Sequence, residues 1–188
     1  MSGELILLLG GARSGKSAAA ERLAQAGRRV LFIATAEALD EDMARRIAAH
    51  RERRPSGWDT LEEPLDPAGK AAPILSRYDT VVLDCLTLWV SNLLLRHEDD
   101  PGAEELILDA AGGLLALIER STATWIVISN EVGLGVVPPS PLGRAYRDAL
   151  GRVNQLAAAR AGRVYLIVAG LALELNALNA QPLTQLGR

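Results

Sequence analysis

Five short apolar runs punctuate the chain: Leu5-Ile6-Leu7-Leu8-Leu9, Val30-Leu31-Phe32-Ile33, Thr80-Val81-Val82-Leu83, Trp125-Ile126-Val127-Ile128-Ser129 and Val164-Tyr165-Leu166-Ile167-Val168. Each is too short for a helix and predicts a buried strand, the first over about 4–9. Between them the polarity is mixed, and helices are predicted at about 16–26, 40–53, 86–97, 103–120 and 142–161. Asp40 has the chemistry to cap the second helix, with Glu41 and Asp42 favourable in its first turn. Residues 54–78 carry Pro55, Gly57, Pro64, Pro67, Gly69 and Pro73 and predict irregular chain with room for a short helix. The apolar tail after Leu171 gives no clear signal. Continuous apolar strands separated by helices predict an α/β fold of three layers, with a mostly parallel central sheet covered on both faces.

Composition narrows this picture without redirecting it. The 188 residues show no repeat, low-complexity tract or linker, so residues 1–188 read as a single domain. With 49% hydrophobic residues the chain is globular, and a net charge of -3 points away from bulk nucleic-acid binding. The first apolar run is too short to span a membrane and reads as a strand rather than a signal peptide. One cysteine, Cys85, excludes an internal disulfide framework and fits a reducing, cytoplasmic compartment. Only Lys16 and Lys70 among the 20 basic residues are lysines, which makes a lysine at position 16 conspicuous.

That lysine belongs to Gly10-Gly11-Ala12-Arg13-Ser14-Gly15-Lys16-Ser17, a complete G-x-x-x-x-G-K-S between a predicted strand and a predicted helix. Glycines let backbone N–H groups curl around phosphate oxygens, and the helix N-terminus adds its positive dipole end. Lys16 suits the β- and γ-phosphates, and the Ser17 hydroxyl suits Mg²⁺. The motif predicts a bound nucleoside triphosphate. Ligands of such sheets lie beyond the carboxyl ends of the strands. The segments there are the phosphate loop, Ala34-Thr35-Ala36-Glu37, Asp84-Cys85 and Asn130-Glu131-Val132-Gly133-Leu134-Gly135. Asp84, closing an apolar strand, is the candidate second anchor for Mg²⁺; the competing role is capping the next helix, and Glu131 is a rival carboxylate. Cys85 reads as a small buried residue rather than a nucleophile.

The chain has two histidines. His97, before Glu98-Asp99-Asp100, reads as a helix-end residue. His50 shares a helical stripe with Met43 and Ile47, with Arg46, Arg53 and Arg54 one turn away and Pro55 ending the helix. Two readings stand side by side. His50 is either a core-edge residue among solvated arginines or a nucleophile or acid–base group in an anion-binding pocket.

Taken together, the segments resemble the bifunctional adenosylcobinamide kinase / adenosylcobinamide-phosphate guanylyltransferase family of cobalamin biosynthesis. The resemblance is carried by the phosphate loop, Ile33 to Ala36, Asp42 to Ile47 leading to His50-Arg51 and Arg54-Pro55, Trp58, and Glu62. It continues through Asp84 to Thr87, Val90 to Leu94, Ser129 to Gly133 running on to Pro138, and Gly151 to Gln155. It implies a phosphate-loop NTPase-type fold and two reactions. ATP or GTP phosphorylates adenosylcobinamide, and GTP then donates GMP to adenosylcobinamide-phosphate, leaving pyrophosphate. It implies that His50 carries GMP between the two halves of the transfer. It also implies nucleotide contacts from Gly10 through Ser17, from Thr35, Ala36 and Glu37, from Arg51, Glu52, Arg53 and Arg54, and from Glu62 and Asp84. Relatives often carry Glu at the last position, where Asp84 is the shorter carboxylate. Mg²⁺ on Ser17 and Asp84, and a homotrimer, belong to the same implication. Two rivals remain by residues alone: a kinase that forms no covalent nucleotide, and a nucleotide-binding regulator with Gly133–Pro139 as its switch.

Overall fold

Side-chain alternation along the buried runs sorts residues between the two faces of a sheet. In the computed structural model, residues 3–38 and 40–182 are described, apart from the side chains of Arg46, His50 and Arg53. The chain runs β1 (Leu5–Gly10), α1 (Lys16–Ala24), β2 (Val30–Ala34), α2 (Glu41–Arg53), β3 (Asp59–Glu62), α3 (Pro67–Ala71) and β4 (Thr80–Asp84). It continues through α4 (Leu86–Arg96), α5 (Ala103–Arg120), β5 (Thr124–Ile128), α6 (Pro141–Arg160), β6 (Arg163–Val168) and β7 (Leu171–Glu174). The strands form one sheet in the order β3-β2-β4-β5-β1-β6-β7. β1 to β6 pair in parallel, and β7 adds antiparallel to β6. The predicted three-layer α/β architecture is present.

Leu5, Leu7 and Leu9 of β1 pack with Leu31, Ile33, Val81, Leu83, Trp125 and Val127 under α3, α4, α5 and α6. Ile6 and Leu8 face the opposite side with Phe32, Val82 and Ile126, where Ala20 and Ala24 of α1 close on them. Two alanines on the inner face let α1 approach the strands closely, so the loop feeding it lies tight against the ends of β1 and β6. Asp40 caps α2 as predicted, its Oδ1 accepting from the Met43 N–H at 2.7 Å.

Two strands depart from expectation. Within the stretch predicted to be irregular, Asp59-Thr60-Leu61-Glu62 pairs with β2 as an edge strand. Only Leu61 is apolar, because an edge strand that faces water needs no continuous apolar run. The short helix foreseen there is α3, with Pro67 in its first turn and Asp66 accepting from the Gly69 N–H at 2.9 Å. The tail after Leu171 forms β7, joined to β6 by the two-residue turn Ala169-Gly170 with φ of 50° and 79°. Positive φ at both turn residues matches the twist of a tight hairpin. Among the described residues, no helix is long and apolar enough to cross a membrane.

Candidate functional site

Parallel pairing brings the carboxyl ends of β1 to β6 to one edge, and the predicted loops meet there. The phosphate loop links β1 to α1. Gly10 has φ 153°, and a Cβ there would lie 2.3 Å from the Ile167 carbonyl oxygen of β6. Gly15, with φ 107°, stands at the N-cap of α1 in a backbone state that other residues rarely take. Arg13 turns at φ 57° and is exposed, as are Gly11 and Ala12. The Lys16 ammonium is buried against the loop and donates to Gly10 O at 3.0 Å and Gly11 O at 2.7 Å. Burial pushes its pKa below the ordinary lysine value, against the charge of nearby Asp84. Ser14 Oγ is buried without a hydrogen-bond partner among the described residues.

Ser17 Oγ donates to Asp84 Oδ2 at 3.4 Å, so a hydroxyl and a carboxylate from distant parts of the chain meet beside the loop. Asp84 does not cap the following helix; Cys85 does, its Sγ accepting from the Leu88 N–H at 3.5 Å. Burial, with Asp84 adding, pushes the Cys85 thiol up to about 12, which suits a packing residue rather than a nucleophile. One hydroxyl and one carboxylate fit Mg²⁺, which takes few protein ligands and completes its shell with water and phosphate oxygens. Among the described residues, no group of three or more His, Cys, Asp or Glu gathers elsewhere.

Beyond β2, Thr35 is fully buried, and its hydroxyl is committed to the Cys85 peptide, donating to the carbonyl at 2.7 Å and accepting from the N–H at 2.8 Å. It ties the β2 loop to β4 and leaves Ala36 on the cleft wall. Glu37 accepts from Arg96 Nη2 of α4 at 3.2 Å. Asn92, buried in α4, donates to Thr35 O at 2.8 Å and Pro64 O at 3.1 Å, fixing the loops after β2 and β3 together.

A cavity of about 310 Å³ opens between α2 and the ends of β2, β3 and β4, with Phe32, Met43, Ile47 and Leu88 as apolar walls and Arg54, Glu62 and Asp84 as polar ones. Arg54 lies 4.4 Å over the Phe32 ring, its side chain 10% exposed, with Nη1 3.9 Å from Glu62 Oε1. Burial lowers its pKa from the ordinary arginine value, with Glu62 opposing, yet it stays a cation at neutral pH. Phe32 stacks in turn on Trp58 at 6.4 Å. Arg51 forms a two-pronged pair with Glu62, Nε to Oε1 at 2.6 Å and Nη2 to Oε2. Glu52 is exposed on α2. Position 50 belongs to the α2 helix. The side chains of His50 and Arg53 lie outside the described residues. His97 ends α4 as its C-cap.

Between β5 and α6, Asn154 holds the end of β5. Its Oδ1 accepts from Ser129 Oγ at 2.6 Å, and its Nδ2 donates to Asn130 O at 3.0 Å and Glu131 Oε1 at 3.2 Å. Sequence reading gave neither Asn92 nor Asn154 a role. The available signal was an amide in an otherwise apolar helix face, which has to find partners once buried.

Comparison with known proteins adds a family to this geometry. The family model described as cobinamide kinase / cobinamide phosphate guanyltransferase matches residues 6–175. The bifunctional adenosylcobalamin biosynthesis protein CobP of Pseudomonas aeruginosa is 49% identical over 175 residues, covering 90% of this chain and 96% of that protein. The bifunctional adenosylcobalamin biosynthesis proteins CobU of Escherichia coli and Salmonella typhimurium are 41% and 42% identical over 182 residues, covering 92% of this chain and 99% of each. Among solved structures, the RadB recombinase superposes with a TM-score of 0.50 at 18% identity, over 88% of this chain and 74% of that one. That likeness concerns the fold alone.

Proposed function

Because the chain belongs to the cobinamide kinase / cobinamide phosphate guanyltransferase family, we propose that it runs both reactions at the cleft around its phosphate loop. In the first, a nucleoside triphosphate phosphorylates the hydroxyl of adenosylcobinamide. In the second, GMP passes from GTP to the phosphate so made. The observation that carries this reading is the meeting of Ser17 with Asp84 at 3.4 Å beside a complete phosphate loop.

For the kinase step, Lys16 and the loop N–H groups hold the β- and γ-phosphates. Phosphoryl transfer depends mainly on such positioning and charge neutralisation. Mg²⁺, when bound at Ser17 and Asp84, supplies further charge neutralisation on the phosphates.

For the guanylyl step, a nitrogen of His50 attacks the α-phosphorus of GTP. A nitrogen–phosphorus bond forms, the bridging phosphorus–oxygen bond breaks, and pyrophosphate leaves with the electron pair. The acceptor phosphate then attacks the same phosphorus, and the histidine departs with the nitrogen lone pair restored. Covalent relay keeps the two polyanions from having to meet in one step. Arg51 and Arg54, at the end of the same helix, supply positive charge on the route. The apolar 310 Å³ cavity with Glu62 at its edge suits a purine base. We extend the reading to a cytoplasmic homotrimer, on resemblance.

The test is to incubate the protein with Mg²⁺ and α-³²P-GTP, denature it, and look for acid-labile, base-stable label. The wild type should label from the α-position and not the γ-position, and His50→Ala should not label. Lys16→Ala should depress both labelling and kinase activity. A labelled His50→Ala protein would remove His50 as nucleophile. Kinase turnover with no label in the wild type would leave a kinase without a covalent nucleotide.

A further inference from the structure

Two loops flank the phosphate loop, and both are bonded to its backbone. The Glu131 N–H donates to Gly10 O at 3.3 Å, and the Gly170 N–H donates to Ser14 O at 2.9 Å. The first loop leaves β5 and the second is the turn between β6 and β7, so together they straddle β1, whose neighbours in the sheet are β5 and β6. Beyond Glu131 at the root of the first, neither carries charge: residues 132–143 and 164–173 contain no Asp, Glu, Lys or Arg, in a chain that is 23% charged. Both present large apolar side chains to solvent. Leu134 is 83% exposed, Val136 93% and Leu171 76%, with Val137 and Val168 also more than half exposed.

The first loop is held in shape at both ends. At its root Asn154 binds Asn130 O and the Glu131 carboxylate. At its far end Arg144 donates to Pro138 O at 3.2 Å and Pro139 O at 2.7 Å. Leu134, Val136 and Val137 lie between these fixed points and project outward. Water-facing apolar side chains concentrated on two flanking segments mark a surface that something covers.

We propose that this rim is the acceptor subsite, and that the macrocycle of the cobinamide substrate rests on Leu134, Val136, Val137, Val168 and Leu171. The inference rests on the function proposed above. A nucleotide is a small polyanion, and the cationic and hydroxyl groups of the cleft suit it. The acceptor is a broad macrocycle with methyl groups among its peripheral amides, and its reactive hydroxyl has to reach the terminal phosphate over the loop. Only surfaces adjoining the phosphate loop can hold the ring while the hydroxyl arrives, and the rim adjoins it on both flanks. The same placement serves the second reaction, in which the ring stays put and its new phosphate is the nucleophile.

Equilibrium dialysis of cobinamide, read by its own absorbance, tests this with wild type, the double variant Leu134→Ser/Val136→Ser and the separate Leu171→Ser. All three positions are exposed, so the folded chain tolerates them. Each variant should weaken cobinamide binding about tenfold or more, and raise its KM in the kinase assay to match, from lost apolar contact. Self-labelling by α-³²P-GTP should be unchanged in both. Wild-type affinity for cobinamide in both variants would overturn the proposal. So would unchanged affinity together with a shift from oligomer to monomer in sedimentation, since the rim would then cover a second copy of this chain. Dialysis decides the rim even if the wild type fails to label, an outcome that strikes the proposed function instead.

Discussion

Thr35→Val replaces a hydroxyl with a methyl of nearly the same shape at a fully buried position, and the structure says what that removes. The Thr35 hydroxyl both accepts from the Cys85 N–H at 2.8 Å and donates to the Cys85 carbonyl at 2.7 Å. The carbonyl retains the Trp89 N–H at 3.2 Å as a partner. The buried Cys85 N–H loses its hydroxyl acceptor, and an orphaned buried donor costs about 1–3 kcal/mol. A destabilisation of about 2 kcal/mol follows, or roughly 4–8 °C in Tm for a chain of this size. Thr35→Ser keeps the hydroxyl and loses one methyl, at a cost of about 1 kcal/mol. Urea unfolding with an unchanged slope, supported by calorimetry, reads both. The order should be wild type, then Ser, then Val, although Val is the more apolar residue. A Val variant as stable as wild type, or more stable than Ser, would refute the strut. The KM for GTP, measured well below Tm, should stay near wild type in both. A rise of about tenfold or more without lost stability would make Thr35 a ligand contact instead.

Two further outcomes are expected. Asp84→Asn keeps the shape facing Ser17 and removes the charge, so the Mg²⁺ concentration for half-maximal activity should rise by about tenfold or more in both reactions; an unchanged Mg²⁺ titration would take Asp84 out of the metal site. Glu4 accepts from Arg163 Nε and Nη2 at 2.7 Å each, and those bonds hold its carboxyl below its ordinary value of 4.5. The pair's contribution to stability is present above that value and lost as pH falls through the lowered one. Glu4→Gln should therefore flatten the acid limb of urea unfolding between about pH 6 and about pH 3, modestly because the pair is partly exposed, and an identical acid limb would refute the link.

How much of this was legible without coordinates follows from where each residue sits. β1, β2, β4, β5 and β6 are flanked by strands on both sides and covered by helices, so their runs are continuously apolar and announce themselves. β3 and β7 are the two edges, and their residues are mostly exposed, so pairing rather than burial defines them. The phosphate loop was legible because each residue type in it answers a local backbone or phosphate requirement. Asp84 was legible because the end of an apolar strand is a rare place for a carboxylate. The ion pairs of Glu62 with Arg51 and Arg54 were not, since they join an edge strand to the end of α2, and no local pattern encodes that meeting. Position after β2 makes Thr35 a site candidate, and the resemblance implies its nucleotide contact; which way its hydroxyl turns depends on β4, fifty residues on.

The cleft also shows where the fold tolerates incomplete pairing. Four buried side-chain polar atoms lack a hydrogen bond among the described residues, and two of them, Ser14 Oγ and Arg54 Nε, lie in the cleft. Ser14 is inside the phosphate loop, and Arg54 lies over the Phe32 ring with only a 3.9 Å approach to Glu62. A buried guanidinium with an unused donor is unfavourable for a folded chain on its own account, and an apolar residue on the same ring would pack without that cost. Its place at the mouth of a cavity, near Arg51 at the end of α2, fits the anion recognition proposed above. Donors fixed before the ligand arrives need no reorganisation when charge develops on a phosphate. The same reasoning separates the two sides of the cleft. Charged groups, Arg54 with an unused donor among them, collect toward β2, β3 and β4, while beyond Glu131 the segments after β5 and β6 present uncharged, water-facing apolar side chains. One phosphate loop between two such surfaces can serve a nucleotide on one and a large macrocyclic acceptor on the other.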